Sequence, residues 1–188
     1  MRYISFLFLS FLIFSINPFN AQTKVEGVNF PSKITINNNS VVLNGGGLRE
    51  KYGFLDLYVG ALYIKSKSSD ANKIIMADEE MGIRIVIVSS MVTRERFIEA
   101  LVDGFENTTA GASNQGQINQ FEKFYNDPFV ETDEIVITYV PGEGVHFYKN
   151  RDKRGTIEGL PFKQALFGIW LGGVPADDSL KEEMLGLD

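Results

Sequence analysis

The chain predicts an α+β domain built on a large antiparallel β-sheet with a layer of helices on one face. Three observations point there. Strand-like runs come in pairs joined by short clusters of breakers, at 37–39, 141–144 and 150–155, which is how hairpins are written in a sequence. Strands and helices do not alternate regularly, which argues against a parallel doubly wound sheet. The helix-like segments are mostly one-sided, with an apolar stripe to bury and a charged face to leave in water.

Residues 1–21 read as a secretory signal: Arg2, an apolar run over 3–16, then Asn17-Pro18-Phe19-Asn20-Ala21 before Gln22. Cleavage is expected after Ala21. The run is shorter than the roughly 20 residues of a transmembrane helix, so no membrane anchor is expected after cleavage. No cysteine follows it, so a lipid-modified end is excluded. The mature chain, residues 22–188, is then a single domain of about 167 residues, large enough to bury a core. The expected location is the periplasm, or outside the cell.

Residues 33–36 and 40–43 carry β-branched side chains around Asn37-Asn38-Asn39 and form the first hairpin, near a sheet edge. Gly45-Gly46-Gly47 reads as a turn, followed by Arg49. Alternation over 54–65 sets Phe54, Asp56, Tyr58, Gly60, Leu62 and Ile64 on one face and Leu55, Leu57, Val59, Ala61 and Tyr63 on the other. Both faces are apolar, so this strand is central and covered on both sides, with Asp56 as the exception. Residues 83–88, rich in Ile and Val, and the pair 134–140 and 145–149 around Pro141-Gly142-Glu143-Gly144 bring the count to at least six strands.

A short helix is expected near 70–77. Residues 93–107 form a longer one, with Thr93 as N-cap, Phe97, Ile98, Leu101, Val102 and Phe105 as its stripe, and Arg94, Glu95, Glu99, Asp103 and Glu106 facing away. Residues 117–125 repeat the pattern with Ile118, Phe121, Phe124 and Tyr125, stopped by Asp127-Pro128. Pro161 opens a further helix on Phe162, Ala165, Leu166, Ile169 and Trp170, with Gly172-Gly173 expected in a left-handed cap. A last helix lies near 179–185.

Composition removes several function classes. With 18 basic and 24 acidic residues the net charge is −6, about −7 without Arg2, and there is no basic cluster. Nucleic acid is not an expected partner, and an anionic membrane surface is disfavoured for the same reason. The absence of cysteine excludes disulfides, thiolate catalysis and thiolate metal sites. A lone histidine, His146, cannot make a histidine metal cluster and reads as an ordinary strand residue. Residues 111–115 lack the second glycine of a nucleophile elbow. Neither glycine cluster has dinucleotide or P-loop spacing, so no cofactor is expected. The acidic runs Asp78-Glu79-Glu80, Asp177-Asp178 and Glu182-Glu183 read as solvated faces.

Arg49 is different, because a permanent cation beside an apolar strand suits an amphipathic anion. Its surroundings also carry a resemblance. A Leu-Asn-Gly run, then Gly47-Leu48-Arg49, then a strand ending in Leu62-Tyr63-Ile64, is similar to the chalcone isomerase superfamily, in particular its exported bacterial branch. The order of Gly27-Val28-Asn29-Phe30-Pro31, Tyr139 to Gly144, Gly155-Thr156-Ile157 and Ile169-Trp170-Leu171-Gly172 extends the likeness over nearly the whole mature chain. The resemblance implies an open-faced β-sandwich with a ligand cleft between sheet and helices. It also implies that Arg49 matches the arginine that stabilises developing negative charge in the plant enzyme. Tyr58 stands where that pattern has a strand threonine, and Phe97, Ala100 and Gly104 where it has tyrosine, lysine and asparagine. Members that bind fatty acids keep the arginine with a tyrosine nearby, as Arg49 and Tyr58 do. The expected function is therefore non-catalytic binding of a small lipophilic carboxylate such as a fatty acid, with Arg49, Tyr58, Phe97, Leu101 and Trp170 as ligand-binding residues. The alternatives are an isomerase of the chalcone type (an intramolecular lyase) on an unknown substrate, or a structural or partner-binding domain. A structural ion pair of Arg49 with Asp56 is the competing role for the arginine.

Overall fold

The structure is a computed structural model and describes residues 22–187; the expected signal, residues 1–21, lies outside them. Strands β1 (Gln22–Val25) and β2 (Val28–Pro31) form a small separate hairpin. Strands β3 (Lys33–Ile36), β4 (Asn39–Lys51), β5 (Leu55–Ile64), β6 (Met81–Ile87), β7 (Glu134–Val140), β8 (Gly144–Lys149) and β9 (Asp152–Ile157) make one antiparallel sheet in sequential order. The helices are α1 (Ala71–Met76), α2 (Arg94–Asn107), α3 (Gln115–Phe124), α4 (Leu160–Leu171) and α5 (Asp178–Leu185).

Local chemistry sets these boundaries. Asn37 and Asn38 both take left-handed backbone (φ 46° and 65°) between the paired residues Ile36 and Asn39, a conformation that Asn tolerates and that two-residue hairpins require. Asn150 and Arg151 repeat it between Lys149 and Asp152. The breaker cluster at 150–155 is therefore a two-residue turn, and 152–155 is already strand. Thr93, Asn114, Asp70 and Asp177 each accept a backbone N–H at a helix start, which satisfies a donor that the helix itself leaves unpaired. Gly172 does not take the left-handed cap expected for it: its φ is −75°, and it closes α4 by bonding the Gly168 carbonyl at 2.8 Å.

The run Gly45-Gly46-Gly47 is strand, not turn. It lies inside β4 and pairs with Leu62, Ala61 and Gly60 of β5. A Cβ on Gly45 would sit 2.1 Å from the Glu183 carbonyl oxygen, and one on Gly47 would overlap the Glu183 side chain. The glycines are the seat of α5, and only a residue without a side chain lets that helix lie so close to the strand. Asn44, the extra residue at a bulge between Leu43 and Gly45, pins the same contact. Its amide donates to the carbonyls of Met184 (2.7 Å) and Ser68 (2.9 Å).

The sheet has a core on each side. Tyr58, Leu62 and Ile64 of β5 join the helix-side core with residues of α1 to α5, while Val59, Ala61 and Tyr63 join Phe30, Ile36, Val41 and Leu43 on the other side. The central, two-sided strand read from alternation is therefore present from Tyr58 onward. Hairpin β1–β2 covers part of the second face, held by Tyr63 Oη donating to Pro31 (2.9 Å) and by Arg84, whose guanidinium lies 5.0 Å from the Phe30 ring centre.

Helix α4 is buried all round from Phe162 to Leu171. Lys163 goes in with it, and its Nζ donates to the carbonyls of Ile74, Ile75 and Ala77 at 2.8–3.0 Å. The ammonium thus closes the C-terminal end of α1, where carbonyls have no helical partner; burial lowers its pKa to about 8.

Candidate functional site

A cleft of about 640 Å³ opens between the start of β5 and helix α2, within the roughly 300–1,000 Å³ typical of small-molecule sites. Arg49, Lys51 and Tyr52 come from the end of β4 and its turn, and Leu55, Leu57 and Tyr58 from β5. Met91 and Val92 precede α2, and Val174, Pro175 and Ala176 come from the loop between α4 and α5.

Arg49 and Tyr58 are directly opposed across the two strands, so their side chains share the helix-facing surface. The guanidinium carbon lies 5.5 Å from the Tyr58 ring centre, a cation–π distance. Next to this pair the register slips, so that Leu57 is the extra residue between Arg49–Tyr58 and Glu50–Asp56. A bulge turns a side chain that alternation would send to the opposite face, and Leu57 packs with the helix-side core and lines the cleft. Asp56 is exposed near the open end of the strand, which explains an acid in an otherwise apolar run. No carboxylate among the described residues forms an ion pair with Arg49, and the competing pair with Asp56 is not made.

Tyr58 is buried, and Trp170 Nε1–H donates to its hydroxyl at 2.9 Å. Burial raises the phenol pKa and outweighs the opposing pull of Arg49. The hydroxyl is therefore neutral at physiological pH. With one lone pair occupied by Trp170, its proton remains to be donated elsewhere.

Of the five residues read from the sequence, Arg49, Tyr58 and Phe97 line the cleft, whereas Leu101 and Trp170 are buried in the helix-side core. Trp170 reaches the site only through the Tyr58 hydroxyl. The row Phe97, Ala100 and Gly104 does face the cleft, as the likeness to the enzyme pattern implies. Gly104 also brings α2 against α4, since a Cβ there would meet Ile169 at 2.6 Å.

Beside that row run Arg96, Glu99, Asp103 and Asn107, which line the cleft too. The apolar stripe alone does not reveal them. They border it and become site residues because the cleft is open to solvent along that side of α2. Arg96 is held by a bond to the Met91 carbonyl (3.0 Å). Arg94 instead ties α2 to α3 through the carbonyls of Tyr125 (2.5 Å) and Glu122 (3.1 Å). Leu55, Tyr52 and the 174–176 loop carry no sequence signal for the site beyond being apolar near breakers.

The acidic runs are less uniformly solvated than they read. Glu80 is buried and accepts from Asn39 Nδ2 (2.7 Å), Asp78 accepts from the Tyr139 hydroxyl (2.6 Å), and Asp177 caps α5. His146 is buried on β8, with Thr156 Oγ1 3.1 Å from Nδ1 and Glu143 3.2 Å from Nε2.

A large antiparallel sheet with a helix layer and a cleft between them is an open-faced sandwich. The description of the family whose model matches residues 22–186 is chalcone isomerase-like, and the chain belongs to that family. Among solved structures, a fatty-acid binding protein from Arabidopsis thaliana shares the fold with a TM-score of 0.67. That match is 19% identical in sequence and covers 85% of this chain and 92% of that one. No curated protein sequence matches significantly.

Proposed function

We propose that this chain is an exported, non-catalytic binding domain for a lipophilic carboxylate such as a fatty acid. The observation that carries the reading is Arg49, a cation without an ion-paired acid among the described residues, stacked on a buried neutral tyrosine at the mouth of a mainly apolar cleft. A guanidinium presents a planar fork that fits a carboxylate, and the Tyr58 hydroxyl supplies a further donor. Leu55, Leu57, Phe97, Ala100 and the 174–176 loop offer the tail an apolar surface, and each methylene buried there contributes about 0.8 kcal/mol. At the three helix positions where the enzyme pattern carries hydroxyl, ammonium and amide, this chain has Phe97, Ala100 and Gly104. The lack of proton-handling groups there supports holding a ligand over transforming one. The fatty-acid binding protein of the same fold is consistent with this reading, and the apolar segment before Gln22 supports export.

Native mass spectrometry of the protein purified from its own host is expected to reveal a co-purifying lipophilic acid. Arg49→Ala should weaken a fluorescent fatty-acid probe by about tenfold or more, the scale of a lost charged hydrogen bond. An unchanged affinity would remove Arg49 from the site.

A further inference from the structure

We infer that the mouth of the cleft is a docking surface for a phospholipid bilayer, engaged through the turn between β4 and β5. This rests on the lipophilic-carboxylate reading above and adds to it where the ligand comes from and goes to.

Exposed apolar side chains are concentrated at this one place. Among the described residues, seven large hydrophobic side chains are exposed, and four of them stand together: Tyr52 (75% exposed), Phe54 (71%), Met91 (41%) and Val174 (59%). Tyr52, Met91 and Val174 line the cleft, and Phe54 leans on Tyr52 with ring centres 6.4 Å apart. The turn is also strained to present them. Tyr52 has φ 59° ahead of Gly53 at 71°, and left-handed backbone is uncommon for a bulky residue. A turn serving only to join two strands would carry Asn or Gly at that position. Here it holds two aromatic rings in water beyond the end of the sheet.

The charges around the rings favour a bilayer over a protein partner. Lys51 lies over the Tyr52 ring at 5.3 Å, with Arg49 and Arg96 behind it. Glu99 and Asp103 line the same cleft, and Glu50 and Asp56 stand exposed as the strand pair next to Arg49 and Tyr58. A chain of net charge −6 thus has a nearly balanced mouth, which complements a zwitterionic headgroup layer. Aromatic rings flanked by mixed charge are the composition of a membrane–water boundary. The exposed patch amounts to a few hundred Å², given about 150–250 Å² for each aromatic residue. That is well short of the roughly 800 Å² per partner of a stable protein dimer. A protein seated here would also stop the cleft, whereas a bilayer seated here lets an acyl chain pass without crossing water.

The test uses the whole chain, so that any adsorption by the apolar segment before Gln22 is common to every sample. Because the chain has no cysteine, Phe54→Cys and Met76→Cys each give a single site for a polarity-sensitive thiol fluorophore; Met76 is exposed and apolar but outside the mouth. On adding phosphatidylcholine vesicles, the probe on F54C is expected to shift to the blue while the probe on M76C stays unchanged. Tyr52→Ser with Phe54→Ser should abolish most of the Met91→Cys probe shift and weaken vesicle partition by about tenfold, with the melting temperature retained. Equal shifts at positions 54 and 76, or none at 54, would overturn the docking surface. Fatty-acid probe binding measured without vesicles separates the two readings. Retained probe affinity with no vesicle response defeats docking alone. Vesicle docking through position 54 with no probe affinity defeats the ligand reading and leaves docking standing.

Discussion

The Tyr58–Trp170 contact gives the most direct test of how the cleft is held in shape. Tyr58→Phe removes the hydroxyl that accepts the Trp170 N–H and leaves that donor buried against apolar neighbours, since both residues belong to the helix-side core. A buried donor without a partner costs about 1–3 kcal/mol. At roughly 2–4 °C per kcal/mol for a domain of this size, a cost of about 2 kcal/mol lowers the melting temperature by about 4–8 °C. The assay is a thermal melt and a urea melt of the wild type, Tyr58→Phe, Trp170→Phe and the double variant. In the double variant donor and acceptor are both gone, so the two losses should be less than additive by about 1 kcal/mol. Tyr58→Phe should also weaken the fatty-acid probe by roughly fivefold, because the proton aimed at the carboxylate goes with the hydroxyl. If Tyr58→Phe lies within about 0.5 kcal/mol of wild type, or if the double variant is additive, the hydrogen bond is not what fixes the tyrosine. The Tyr58 proton would then not be held in place for a ligand.

Gly45→Ala should destabilise the fold by about 3 kcal/mol, because the added methyl meets backbone that cannot rotate away. Gly173→Ala, with open space around it, should melt with the wild type. For His146, burial depresses the folded pKa, with the nearby Lys153 acting in the same direction. Below about pH 6.5 the unfolded chain then takes up a proton that the folded chain resists. The wild type should therefore lose more stability than His146→Gln as pH falls from 7 through that window, and parallel pH profiles from urea melts would refute it.

How far the sequence could be read depended on whether a feature was local. Hairpins at Asn37-Asn38 and Asn150-Arg151, the cap at Thr93, and the two apolar faces of β5 all follow from chemistry within a few residues, and each was legible. Features that depend on a distant element were not. Leu57 follows alternation to the wrong side because a bulge is a relation between two strands, and nothing in residues 54–65 announces it. Nothing local to Lys163 announces its burial, which depends on α1 ending over it and supplying three carbonyls. Glu99 and Asp103 sit off the apolar stripe, as read, and Arg96 sits off it too, yet all three border the cleft, where no element among the described residues covers that side of α2.

The triple glycine joins the two kinds of information. As a local signal it means a turn, yet in the structure it is a stretch of strand whose missing side chains seat α5. Alternation along one face of β4 runs through Gly45 and Gly47, against Glu183, and then to Arg49, the first side chain on that face beyond the glycines. The same helix is joined to α4 by the loop that supplies Val174, Pro175 and Ala176 to the cleft. The glycines therefore act on the site without touching a ligand: they let α5 down onto the sheet, and with it the loop that forms one wall of the cleft. Arg49 then stands at the boundary between strand covered by helix and strand open to the cleft, where a cation can keep one side in water and face an apolar surface with the other.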